Sequence, residues 1–153
     1  AFLKTKGFSK MKTGEDIDLT FRLWKNSFET QLIEKAFVYH KRRSTIQQFF
    51  KQTYSFGTAR PILNKKYPKS AKPTYWFPSL FIIGLDVSII LVIFGYNLFL
   101  TLYLFYFLLI FIDSLVKNKN IYVAFLSMFT SLTQFLGYGL GFLESQFKAN
   151  KKS

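Results

Sequence analysis

The chain contains no cysteine and a single histidine, His40, among its 153 residues. The missing thiols exclude disulfide bonds and any zinc site built on cysteine. Acidic residues are also scarce, because 8 Asp and Glu stand against 21 Lys and Arg, for a net charge of +13. Apolar residues are in excess: half of the chain is hydrophobic and 20% is aromatic, including 20 Phe. An ordinary soluble domain does not combine this charge with this apolar content.

The charges and the apolar residues are separated along the chain. Residues 1–75 carry 16 Lys and Arg against 5 acids, residues 76–116 carry two acids and no base, and residues 117–153 carry 5 Lys and one Glu. This order is typical of a membrane protein with positively charged flanks. Nucleic acid is the rival partner for such a charge, but binding it does not require the apolar runs, and we expect no nucleic-acid partner. Because the sequence opens on Ala1 without a signal peptide, we expect it to be part of a longer protein.

The apolar run from 77 to 116 is long enough for two membrane-spanning helices. We predict them at about 77–95 and 98–116, separated by a turn at Gly95 and Asn97. Asp86 lies in the middle of the first predicted span, where an ionised carboxylate is costly and often functional. A neutral or hydrogen-bonded acid would explain it as well. A transporter built around it would need inverted repeats or paired broken helices, which the sequence lacks.

The segment 121–147 is apolar but has small or polar residues at intervals of three and four. Gly137 and Gly141 add a G-x-x-x-G spacing, which permits close helix contact in lipid. One interpretation is a third span at about 121–143 that packs this small face on the first two. The other is a helix that lies in the interface or re-enters the membrane. Three spans would place the basic tail, 148–153, on the other side of the membrane from the basic front, residues 1–75.

Three acids, Glu15, Asp16 and Asp18, lie within four residues of the basic front. An apolar pattern at helical spacing follows, so we predict a helix that Asp18 caps at its N-terminus. The acids have three interpretations. They could simply start the helix, they could supply a D-x-D metal pair that lacks a third ligand, or they could include the acid or base of an enzyme.

Residues 30–34 and 36–40 are interpreted as two short strands, and His40 as a structural residue at the end of the second. A second helix should begin at Ser44, which forms a capping box with Gln47, and should end near residue 57. Its basic, aromatic and amphipathic character is typical of a helix in the lipid headgroup layer. A basic linker continues to residue 75, and the aromatic pair Tyr75 and Trp76 marks the water boundary.

This arrangement resembles the C-terminal half of a membrane-bound family 2 glycosyltransferase, of the bacterial kind that builds exopolysaccharide and other envelope glycans. The resemblance is carried by GEDIDLTFRL (14–23), VYHKRRSTIQQFFKQTYSFGTAR (38–60) and LGYGLGFL (136–143). It implies an α+β fold class. The expected parts are a remnant of a GT-A catalytic domain (1–43), an amphipathic interfacial helix with its basic linker (44–75), a transmembrane region of two to three spans (76–147) and the basic tail (148–153).

The resemblance also implies an inverting transferase in which Asp16 is the general base. Glu15, at the rim of the substrate cleft, would hold the acidic turn, and Arg42 and Arg43 would bind the leaving diphosphate or a lipid-linked pyrophosphate. Physically, a carboxylate beside the acceptor can remove the proton of a weakly nucleophilic hydroxyl, and guanidinium groups bind phosphates by paired hydrogen bonds. Simple anchoring to the membrane surface is an equally open interpretation of the two arginines.

The implied substrates are a nucleotide-sugar donor and a lipid-linked or glycan acceptor, with membrane lipid as a further partner. The implied cofactor is Mg²⁺ or Mn²⁺, whose ligands should precede Ala1, so we expect no metal site within this chain and no activity from it alone. The implied location is the bacterial inner membrane, with the catalytic part in the cytoplasm. The Gln-x-x-Arg-Trp signature of processive synthases is missing, which favours transfer of single sugars. The alternative function is a non-enzymatic membrane module that binds anionic lipid or a partner membrane protein.

Overall fold

The computed structural model describes residues 1–41 and 43–150, apart from the side chains of residues 149 and 150. Within these residues the fold consists of α-helices joined by turns and irregular chain. The helices are α1 (Glu15–Lys25), α2 (Ile46–Lys66), α3 (Phe77–Ile93), α4 (Leu98–Asn118) and α5 (Ile121–Asn150). Two short 3₁₀ turns, Pro68–Ser70 and Pro73–Trp76, connect α2 to α3.

The predicted α+β class is wrong, because the described residues contain no β-strand and no remnant of a GT-A sheet. Segments 30–34 and 36–40 are irregular and are interrupted by a turn in which the amide of Ala36 donates to the carbonyl of Ile33 (3.0 Å). Their apolar side chains point to solvent, with Val38 87% and Tyr39 95% exposed. A strand needs a neighbour to pair its backbone groups, and no described segment lies beside these two as a strand.

Helix α1 starts earlier than the sequence predicted. Gly14, with a left-handed φ of 83°, precedes it, and all three acids lie in its first turn. There they face the positive end of the helix dipole. The predicted N-cap role of Asp18 is wrong, because the amide of Asp18 already donates to the carbonyl of Gly14 (2.9 Å) within the helix.

Helix α2 differs from its prediction at both ends. Its N-cap is Thr45 rather than Ser44, and the Thr45 hydroxyl accepts from the amide of Gln48 (3.2 Å). The helix continues through Pro61 to Lys66, well beyond the expected end near residue 57. Proline has no amide hydrogen to give to the carbonyl four residues earlier, so it usually kinks or ends a helix. Here Pro61 lies inside the helix and is buried, as is Leu63 two residues further on.

Helix α5 packs parallel to α2 through glycines. A Cβ atom at Gly57 would lie 2.2 Å from the carbonyl oxygen of Tyr138, and one at Gly141 would lie 2.3 Å from that of Tyr54. Gly137 lies against Thr53 in the same way. The G-x-x-x-G face of α5 therefore contacts α2, whereas we had expected it to contact the first two spans.

Other positions of α5 contact α3 and α4. The hydroxyl of Ser79 donates to the carbonyl of Gly139 (3.1 Å), and the hydroxyls of Ser114 and Ser127 are 2.8 Å apart. Around these polar contacts aromatic rings form a cluster, in which Phe81 of α3 stacks on Phe135 of α5 at 4.1 Å between centroids (together with Phe77, Tyr103, Tyr106 and Phe107). Helix α5 is thus the central helix, in contact with α2, α3 and α4.

Three helical segments of the described chain are long and apolar enough to cross a membrane. They are Pro73–Ile93, Leu98–Asn118 and Ile121–Lys148, with mean hydropathies of 2.2, 2.2 and 1.3. The prediction of transmembrane helices is confirmed at this level of length and composition. Asp86 is exposed on α3, and no described residue forms an ion pair with it.

Candidate functional site

A surface cleft of about 720 Å³ lies between the start of α1 and the outer side of α2. Glu15 and Asp16 line it from α1, Arg43 lines it from the segment before α2, and Lys51 and Gln52 line it from α2 itself. The structure therefore brings together three of the four residues that the resemblance assigned to a site. The fourth, Arg42, lies outside the described residues.

Asp16 is the exposed acid of this cleft. Among the described residues, none donates a hydrogen bond to its carboxylate or pairs with it. Its backbone carbonyl, by contrast, accepts from the hydroxyl of Thr20 (2.9 Å), one turn further along α1. An ionised carboxylate can only accept hydrogen bonds, so Asp16 is available to a hydroxyl group that enters the cleft.

Asp18, two residues along α1, has the opposite environment and is fully buried. Its carboxylate accepts from Lys66 Nζ (2.5 Å), the Tyr67 hydroxyl (2.7 Å) and Arg22 Nε (2.9 Å). Burial by itself would raise the pKa of Asp18, but hydrogen bonds from Lys66, Tyr67 and Arg22 together lower it to about 2. The hydrogen bond that Lys66 donates to Asp18 raises the pKa of Lys66. Both groups are charged at neutral pH, and they attach α1 to the C-terminal end of α2.

Arg22 extends this buried cluster to the N-terminal loop. Its guanidinium donates to the carbonyl of Gly7 (2.6 Å) and to that of Thr5. The loop carries Phe8 and Lys12 to the edge of the cleft. The i,i+4 spacing of Asp18 and Arg22 is visible in the sequence and could have indicated their pairing. Nothing in the sequence pattern linked Asp18 to Lys66 or Tyr67, because that contact depends on how the helices pack.

Asp16 and Asp18 do not form a metal-binding pair. Residues two apart on a helix face different sides, and here one carboxylate points into the cleft while the other is held by Lys66 and Arg22. Within the described part of the chain, no group of three or more His, Asp or Glu could hold a metal ion. These residues therefore do not fit the Mg²⁺ or Mn²⁺ that the resemblance implies.

A second groove, of about 670 Å³, lies between the start of α2 and the first half of α5. Arg43 and Gln52 line this groove as well as the acidic cleft, so the two are neighbours. His40 also lines it, at the surface, which the structural interpretation of this histidine did not anticipate.

No protein-family model, no curated protein and no solved structure matches this chain. The general class of this protein therefore has to be described from its own structure. The described residues form helices, three of them long and apolar enough to cross a membrane, and an open cleft whose exposed carboxylate, Asp16, has no partner among the described residues and lies near basic side chains.

Proposed function

We propose that this chain is the acceptor-side, membrane-associated part of a family 2 glycosyltransferase. It would act at the bacterial inner membrane, with its cleft in the cytoplasm, and transfer a sugar from a nucleotide-sugar donor to a lipid-linked or glycan acceptor. The observation that carries the proposal is that Asp16 and Arg43, from separate segments, line one open cleft. The resemblance of both segments to that family is the reason to assign Asp16 as the base and Arg43 as a diphosphate-binding residue.

The proposed reaction uses the two groups in complementary roles. Asp16 takes the proton of the acceptor hydroxyl as the hydroxyl oxygen forms a bond to the anomeric carbon of the sugar. The bond between the anomeric carbon and the diphosphate oxygen breaks, and the electron pair leaves with the diphosphate. Direct displacement of this kind inverts the anomeric centre. Arg43 carries a permanent positive charge and two parallel N–H donors, which suit the charge that develops on the leaving phosphate oxygens.

The buried Asp18 cluster supports the proposal because it fixes the position of Asp16. Asp16 lies half a helical turn from Asp18, whose carboxylate is attached to Lys66 and Tyr67 at the far end of α2. A base must stay within hydrogen-bond reach of the proton it removes. In this proposal the donor nucleotide and the divalent metal are bound by residues other than those of this cleft.

The test is the variant Asp16→Asn in the intact protein, assayed for transfer of labelled sugar from nucleotide-sugar donors in membranes. The amide keeps the size of the side chain but cannot act as a base, so turnover should fall about 10²–10⁴-fold while donor binding stays nearly unchanged. Glu29→Gln, the same change at an exposed acid outside the cleft, is the matched control and should change turnover far less. Full activity in Asp16→Asn would show that Asp16 is not the base.

A further inference from the structure

The groove between α2 and α5 has two chemically different parts. Its apolar lining consists of Val38, Ile46, Phe49 and Leu126, of which the last belongs to a helix apolar enough to cross a membrane. Its polar lining includes His40 and Arg43, and Arg43 also lines the neighbouring acidic cleft. Its volume of about 670 Å³ is in the usual range of ligand sites, about 300–1,000 Å³.

The ligand that matches both parts is an amphiphile with a hydrocarbon chain and an anionic head. A guanidinium binds phosphate oxygens by two parallel hydrogen bonds, and an imidazole N–H can donate another. A wall of aliphatic and aromatic side chains is suited to an acyl chain, and burying the chain there is favourable by the hydrophobic effect. No acidic side chain is among the described residues that line the groove.

We propose that this groove binds one anionic phospholipid of the surrounding bilayer, with the phosphate at Arg43 and His40 and one acyl chain along Phe49 and Leu126. The bilayer is the source of the ligand because the apolar wall is continuous with a candidate membrane helix. The proposal concerns lipid binding alone and does not depend on glycosyl transfer. In this proposal, part of the basic charge of the chain belongs to a specific lipid-binding site next to the Asp16 cleft.

The experiment titrates the purified full chain in detergent with dioctanoyl phosphatidylglycerol, dioctanoyl phosphatidylcholine and glycerol 3-phosphate, and counts bound molecules by native mass spectrometry. One phosphatidylglycerol should bind about tenfold more tightly than phosphatidylcholine, since only the former presents an uncompensated negative charge to Arg43. Glycerol 3-phosphate has the charge without the acyl chains and should bind far more weakly than the lipid.

Two variants with matched controls distinguish specific lipid binding in the groove from non-specific attraction of anionic lipid to the basic surface. Arg43→Gln should remove the preference for phosphatidylglycerol, whereas Lys41→Gln, an exposed neighbour outside the groove, should keep it. Thr130→Trp should fill the groove and weaken both lipids, whereas Phe129→Trp, at the next and exposed position of α5, should not.

Two results would overturn the proposal. Equal losses in Arg43→Gln and Lys41→Gln would mean that surface charge attracts the lipid without a site. Glycerol 3-phosphate that binds as tightly as the lipid would mean that the apolar wall plays no part. Sugar transfer by the intact protein is a separate measurement, so failure of either proposal leaves the other to be judged by its own result.

Discussion

At the scale of single residues, two acids of one turn have opposite environments. Asp16 is exposed in a cleft without a described partner for its carboxylate, whereas Asp18 is buried and accepts hydrogen bonds from three side chains. A buried carboxylate is stable only when paired, and removal of its partners is more costly than loss of a surface contact. Asp16 is thus accessible to a ligand, whereas Asp18 stabilises the fold.

This separation predicts a specific pH dependence of stability. The pKa of Asp18 is about 2 in the folded chain, below its ordinary value of 3.8. The stability that this group contributes is therefore complete above about pH 4 and is lost as the pH falls toward 2, and its size is about 2–3 kcal/mol. Thermal unfolding in detergent, followed by helical circular dichroism from pH 6 to pH 2, should show this loss.

Asp18→Asn is the control for that measurement. The variant should be less stable at neutral pH, because the positive charges of Lys66 and Arg22 lose their partner, and it should lack the decline between pH 4 and pH 2. A variant that declines as steeply as the wild type would assign the acid sensitivity to other carboxylates.

At the scale of elements, the pairing of α2 with α5 is the main packing of the fold. Thr53 and Tyr54 of α2 both lie against glycines of α5, Gly137 and Gly141. Helices without side chains at the contact approach until their backbones touch, which increases dispersion contacts between them. The glycines of both helices are therefore packing residues.

Gly57→Ala tests this contact. The new methyl group would lie 2.2 Å from the carbonyl oxygen of Tyr138, so the helices must separate, and we expect a loss of about 1–3 kcal/mol in unfolding free energy. Helix propensity alone predicts the opposite sign, a gain of about 1 kcal/mol for alanine over glycine. Chemical unfolding in mild detergent decides between them, with Ser55→Ala on the same helix as control. Stabilisation by Gly57→Ala would mean that α2 and α5 are not in close contact.

At the scale of the whole molecule, the α2–α5 pair limits how the chain can cross a membrane. Helix α2 runs beside α5 from its start, where Ile46 and Leu126 line one groove, to the contact of Gly57 with Tyr138. It carries Lys51 and Arg60 and several glutamines, which are costly within the hydrocarbon core. Because α5 packs closely on this polar helix, we expect both to lie at the membrane surface, with α3 and α4 as the spans.

The absence of native cysteine makes this expectation simple to test by labelling single introduced cysteines in cells. Asn97→Cys, between α3 and α4, should react with an impermeant reagent added outside the cell. Lys35→Cys in the basic front and Phe147→Cys near the end of α5, both exposed, should react only after the membrane is opened. Labelling of position 147 together with position 97 from outside would instead show that α5 crosses the membrane.

The sequence by itself determined the features that depend on neighbouring residues. The bounds of α3 and α4 were predicted to within a few residues, because unbroken apolar runs ended by Gly95 and Lys117 allow little else. The helix that follows the acids and the helix that begins near Ser44 were also predicted from local signals, although their ends differ in the structure. The same local rules suggested strands at 30–40 from apolar alternation, but a strand exists only when another strand pairs with it.

Tertiary structure alone decided the contacts between distant residues. Spacing along the chain did not reveal that Asp18 meets Lys66, that Asp16 and Arg43 share a cleft, or that the glycines of α5 face α2. Each of these depends on the relative position of two helices, which is set by the fit of many side chains at once. A residue pattern shows which face of a helix can be buried, and the packed molecule determines the surface that covers it.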